Sequence, residues 1–172
     1  MFYFDPQYLL LMAVTIALGL GTQGYINSTF RKWSRVPLVS GRPGVDIARR
    51  ILDSAGLQHV EIVRVPGSLS DHYDPRSKRL ALSEAVYGQP SVAAAGVAAH
   101  EAGHAIQDHE GYVWGKVRTA IVPAVNFGSG AAGILIFLGL IVGISGLLWL
   151  GILGYAFAVL FQVVTLPVEL DA

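Results

Sequence analysis

Cysteine is absent from this chain, which removes disulfides, thiolate metal sites and cysteine nucleophiles from consideration. Charge is scarce as well. Only 14% of the 172 residues are Asp, Glu, Lys or Arg, against roughly a quarter in soluble domains, and the deficit is uneven. No charged residue occurs from Pro6 to Phe30 or from Thr119 to Val168, and all 12 Lys and Arg lie between Arg31 and Arg118. A net charge of zero without a basic tail offers nothing for a phosphate backbone to hold, so no nucleic-acid partner is expected.

What the chain does have is apolar length: 53% of it is hydrophobic. Crossing a hydrocarbon core of about 30 Å takes roughly 20 apolar residues as helix. Residues 1–30 read as an N-terminal membrane anchor, with the span near Tyr8–Ile26. The leader Met1–Asp5 has no positive charge and no small-residue cleavage site follows, so the segment is expected to stay. Residues 119–168 are long enough for two spans, with the turn at Gly143–Gly146. Arg31, Lys32 and Arg35 follow the first span and Lys116 and Arg118 precede the second. By the positive-inside rule, residues 31–118 are expected in the cytoplasm of a multi-pass protein of the inner or plasma membrane, with the lipid bilayer as its first partner. Trp33 and Trp149 suit the membrane interfaces.

Residues 31–118 read as a small α+β domain. Pro43-Gly44 opens a helix with Ile47, Ile51, Leu52 and Ala55 on one face, Arg49, Arg50 and Asp53 polar, and Gly56 as its stop. Val60–Val65 reads as a strand, Asp74–Ser77 as a turn and Arg79–Leu82 as a second short strand. His59 falls in the polar turn before the first strand. A second helix covers about 91–108.

That second helix carries His100-Glu101-Ala102-Gly103-His104. Two histidines four apart project from nearly one face, a spacing at which two neutral imidazoles can meet one tetrahedral Zn²⁺. Glu101 lies about 100° round from His100, placed to take a proton from a metal-activated water rather than to bind the ion. This is the HExxH pattern of zinc metallopeptidases. The five-residue pattern alone is weak, and two surface histidines are its bland reading. The flanking residues, from Val92 through Ile106, are small and apolar, so the helix is expected to be buried, where two His and a Glu need partners. Gly103 permits a close backbone approach.

A third ligand must come from elsewhere. His109 does not suit the HExxHxxGxxH spacing, since Gln107 and Glu110 stand at the positions of its Gly and His. Glu169, the first charge after 50 uncharged residues, is returned by a hairpin to the level of the His pair. Asp171 is the fallback, and an interfacial helix-end carboxylate is the alternative reading of Glu169. His72 and Tyr73 flank the Asp74–Ser77 turn and are candidate substrate or transition-state contacts, with a solvated turn as the plainer reading.

The segments Leu69–Arg76, Leu80–Glu84, Gly96–Gln107 and Leu166–Ala172 together resemble the bacterial YugP-type membrane zinc metallopeptidases. The resemblance covers essentially the whole chain. It implies a zinc peptidase with a gluzincin-like core, a later Glu as third ligand, and a strand before the motif helix lining the substrate cleft. Members of that family look longer, continuing past the region matching Val168–Asp171, which makes this chain a short or truncated form whose last segment is 169–172.

The expectation is therefore an α-helical membrane protein with about three spans and a small α+β zincin-like domain. It would hydrolyse peptide bonds of a peptide or protein substrate, with Zn²⁺ held by His100, His104 and Glu169 and with Glu101 as general base. One alternative is a site-2-type intramembrane protease, since Leu170-Asp171 faintly resembles an LDG element. The soluble character of Arg31–Glu84 counts against it. The other is a non-catalytic zinc-binding scaffold, which would have no use for Glu101. Substrate and oligomeric state are not legible.

Overall fold

The computed structural model describes the backbone of residues 6–172 and, in the first helix, the side chains of Leu10 and of Ala13 onwards. The leader Met1–Asp5 lies outside the described residues. The uncharged N-terminal stretch forms one helix, α1 (Pro6–Ser34), with Arg31 and Lys32 in its last turn, where cations meet the negative end of the helix dipole. Beyond α1 the chain is tied to a later segment: Leu38 N–H donates to the Pro90 carbonyl at 2.8 Å and Val92 N–H to the Val36 carbonyl at 2.9 Å.

The expected 44–55 helix is α2 (Gly44–Ser54), and Gly56 follows it at φ 76°. Its buried face is rotated from the expected one. Gly44, Ala48 and Leu52 are the buried residues, while Ile47 and Ile51 are only half-buried. The reason is contact distance: Gly44 lies against the Val86 carbonyl where a Cβ would collide, so the small residues face inward. Arg49, read as simply polar, donates to the Val60 and Leu57 carbonyls, both at 2.8 Å. It clamps α2 to the entry of the sheet.

The two expected strands appear as β1 (Glu61–Val65) and β3 (Arg79–Ser83), and the sequence reading missed a third, β2 (His72–Asp74). Three residues offer no alternation to read. The order is β1-β3-β2, with β1 parallel and β2 antiparallel to β3. Between β2 and β3 the Asp74 carboxylate accepts the Ser77 hydroxyl at 2.6 Å and the Arg76 N–H at 3.0 Å. Those bonds, the Ser77 one foremost, hold its pKa below the usual carboxylate range.

A single turn, α3 (Glu84–Tyr87), leads to α4 (Val92–Glu110), which runs two residues past the expected end. Its caps explain its limits. Ser91 Oγ accepts the Ala94 N–H at 3.2 Å, and Gly111 adopts the left-handed conformation at φ 71° that ends helices. The core lies between α2, the sheet and α4, where Leu52, Leu57, Leu80, Leu82 and Val86 pack on Ala94, Ala98, Ala102 and Ala105. Each buried leucine stabilises the fold by about 2–3 kcal/mol.

The second uncharged block is a helical hairpin, α5 (Val113–Val142) and α6 (Ser145–Asp171), turning at Gly143, whose φ is 74°. Both helices are long and apolar enough to cross a membrane. They approach through small residues. At Gly151 a Cβ would stand 2.9 Å from the Ala132 carbonyl oxygen, the kind of close crossing that suits helices in lipid. Most large apolar side chains of the hairpin point outward, Phe137, Leu153 and Val163 among them.

Candidate metal centre

The periodicity of α4 places its chemistry. At about 100° per residue, Ala98, Ala102 and Ala105 face the core, and His100 and His104 fall about 200° away on the opposite face. Glu101 sits on the border between the two and is only 9% exposed. The imidazoles meet edge to face with ring centroids 4.6 Å apart.

Glu169, in the last turn of α6, comes to this face from outside the domain. Its Oε2 lies 3.2 Å from His100 Nε2 and 3.4 Å from His104 Nε2. Its other oxygen, Oε1, accepts from Arg118 at 3.1 Å. Gly103 makes this approach possible, because a Cβ there would collide with the carbonyl oxygen of Ala172. Among the described residues, His100, His104 and Glu169 are the one group of three or more potential metal ligands with donor atoms within 4.8 Å of one another.

The donor set fits zinc, and the hydrogen bonds say why. The Gln107 amide nitrogen donates to the Val168 carbonyl at 2.9 Å and to Asp171 Oδ2 at 2.8 Å. Both partners are acceptors, so the amide orientation follows, and Gln107 Oε1 must face His104 Nδ1, at 3.0 Å. In a neutral ring the proton is then on Nδ1, and Nε2 turns a lone pair towards Glu169. Two such acceptors 3.4 Å apart suit a cation between them. Tetrahedral Zn²⁺ with bonds of about 2.0–2.2 Å sets its donors about 3.3–3.6 Å apart, a range that includes the His104 separation of 3.4 Å and begins just above the His100 separation of 3.2 Å.

Asp171, the fallback ligand, is bound to Gln107 instead. Asp108 accepts from Tyr73 at 2.7 Å and from Lys78 at 2.6 Å, and Glu84 pairs with Arg64. Burial, reinforced by the Asp108 bond, pushes the Tyr73 pKa up, so the phenol keeps its proton and donates it to Asp108. His72 rests Nδ1 against the Ser70 carbonyl at 2.9 Å. Burial also pushes the Glu101 pKa up. His104 and His100 pull it down, and the nearby Asp71 and Glu169 charges add to the rise.

All of this opens on a cleft of about 950 Å³, lined by β2 and its turn, by α4, and by Tyr112 and α5 as far as Asn126. His72 and Tyr73 are on its wall. Three contributors escaped the sequence reading. Gln107 was weighed only as a departure from another motif, although its place three residues after His104 puts it on the same face. Arg118 registered only as a topological charge. Asp71, whose carboxylate holds Ser83 N–H at 2.7 Å and Ser83 Oγ at 2.9 Å, has no local signature.

Comparison with known proteins agrees with this chemistry. The profile of a family described as "Putative neutral zinc metallopeptidase" matches residues 8–172. A Bacillus subtilis (strain 168) protein, "Putative membrane protease YugP", is 44% identical over 165 residues, which is 96% of this chain and 73% of the relative. No solved structure matches the chain. By the extent of both matches, the chain belongs to the family described as "Putative neutral zinc metallopeptidase".

Proposed function

We propose that this protein is a membrane-bound zinc peptidase in which His100, His104 and Glu169 hold the metal and Glu101 is the general base. The observation that carries this reading is the convergence of one Glu169 oxygen on two imidazole nitrogens, 3.2 and 3.4 Å away. Zn²⁺ held there would supply Lewis acidity, polarising a peptide carbonyl and easing deprotonation of water. Glu101, buried and with its proton affinity raised, accepts the proton of the attacking water and passes it to the departing amine nitrogen. Arg118 engages Glu169 Oε1 and leaves Oε2 as the single ligating atom. His72, exposed on the cleft wall, has Nε2 free of any described partner; with Nδ1–H given to the Ser70 carbonyl, the neutral ring offers Nε2 as an acceptor for a substrate N–H. Tyr73 is committed to Asp108 and shapes the wall. An intramembrane site is disfavoured, because α4 packs within the α+β core and is not among the helices apolar enough to span.

Glu101→Gln keeps the shape of the side chain and removes the base. Hydrolysis should fall about 10²–10⁴-fold while zinc content, measured on purified protein, stays at the wild-type level. Undiminished turnover would sink the assigned role.

The same reading makes α1 a third span and puts the catalytic domain in the cytoplasm. The exposed Val14, Ile16, Leu18 and Leu20 on α1 suit lipid. The chain has no cysteine, so single engineered ones report topology cleanly. An impermeant thiol reagent should label Ser145→Cys in intact cells and spare Ser77→Cys. The opposite pattern would place the site outside.

A further inference from the structure

The far wall of the cleft belongs to a helix long and apolar enough to cross a membrane. Arg118 is the last charge of α5, and Asn126, eight residues on, still lines the cleft. At 1.5 Å per residue the cleft follows α5 for about 12 Å beyond that charge, into one of the two helices long and apolar enough to cross a membrane. Two polar features lie on this stretch. The Asn126 side chain is exposed and makes no hydrogen bond with any described residue. Pro123 sits inside α5 and has no N–H to close onto the carbonyl of Thr119, another cleft residue. Against lipid, an unpaired amide and a freed carbonyl are both costly. They are tolerated where they border a cavity or a partner with hydrogen bonds to offer.

The opposite wall is also short of partners. β2 is the edge of the sheet, and no other described strand pairs with its outer side, which borders the cleft. Between these walls lies a slot bordered by the edge strand on one side and, on the other, by Thr119, Pro123 and Asn126 of a helix long and apolar enough to cross a membrane.

Resting on the peptidase reading, we infer that the substrate is a membrane-inserted polypeptide, which enters along α5 as an unwound stretch at the domain-side end of its own span. A soluble peptide needs no polar wall below the membrane surface. A chain drawn out of a transmembrane helix does, because unwinding exposes its N–H and C=O groups before water reaches them. Asn126 and the Thr119 carbonyl meet those groups, and β2 receives the chain as an added strand next to His100, Glu101 and His104.

The test uses the full chain in liposomes with two fluorogenic probes at equal surface density. Both carry one flexible polar extension. One is anchored by a polypeptide span of about 20 apolar residues and the other by an acyl chain, which gives the same surface concentration without polypeptide in the bilayer. The span-anchored probe should be cleaved at least about tenfold faster. Asn126→Leu should bring that ratio close to one, while Phe127→Leu, on an exposed neighbour, should leave it unchanged. In a Glu101→Gln background, a photoreactive residue at 126 should crosslink to the span-anchored probe and one at 127 should not. Equal cleavage of the two probes, with no crosslink from 126, would overturn the inference and leave the peptidase reading intact. Failure of zinc-loaded wild type to cleave either probe, with no difference from Glu101→Gln, would remove that reading and the inference with it.

Discussion

The two elements that meet at the candidate metal centre hold their potential ligands in opposite ways. α4 is wedged in the core by Ala94, Ala98, Ala102 and Ala105 and capped at both ends. Its histidines are positioned by the same packing that keeps the domain folded. The last turn of α6 has no comparable anchorage. Val168 is buried, but Glu169 is set by Arg118, and the turn is tethered to α4 through the two bonds of Gln107. Half of the site is thus bound up with folding, and the other half rests on a few polar contacts that can be removed one at a time.

That asymmetry predicts where the site breaks without unfolding. Glu169→Ala should weaken zinc binding by about a hundredfold or more, since two protein ligands rarely hold the ion, while the unfolding midpoint of the metal-free protein stays put. Competition with a chelator gives the first number and thermal unfolding the second. A large loss of stability would mean that α6 belongs to the folding core as much as α4 does.

Gln107 sharpens the comparison because it joins the two halves. Gln107→Leu removes the acceptor that orients His104 and the donors that hold Val168 and Asp171. Zinc affinity should fall about 10–100-fold, the usual effect of losing a partner behind a metal-bound histidine. Gln107→Glu keeps an acceptor for Nδ1 and loses the donors, so it separates orientation from tethering. If both variants bind zinc as wild type does, the tether contributes nothing and the hairpin holds itself in place.

The smallest effect is expected on the sheet side. Asp71 lies near enough for its charge to help raise the Glu101 pKa. In the proposed role Glu101 must be ionised to act as a base, so activity should rise with pH through its pKa. Removing a neighbouring negative charge lowers that pKa. Asp71→Asn should therefore move the acid limb of the kcat/KM profile to lower pH, and a shift in the other direction would contradict the charge argument.

Sequence by itself determined the parts of this protein that depend on spacing. The uncharged runs mark helices long enough to span lipid, and the HExxH interval sets two imidazoles on one helix face whatever surrounds them. The turn at Gly143 and the cap at Gly56 follow from the same local rules. The charge at Glu169, the first after 50 uncharged residues, singled it out as a ligand candidate, and the resemblance to a family pointed the same way. Tertiary structure decided what spacing cannot encode. β2 exists because β3 gives three residues an edge to pair with, and Ala48 replaces Ile47 at the centre of the α2 face because Gly44 admits the Val86 carbonyl. Gln107 as a tether and Asp71 as a buttress depend on neighbours 61 and 12 residues away. The position of Glu169 is decided the same way. Its distance from His104 depends on two helices of about 40 Å or more crossing at glycine and alanine, and on Gly103 leaving room for the backbone that follows. Local periodicity is short-ranged, so it orients side chains on an element, and only packing brings elements distant in sequence to a common point.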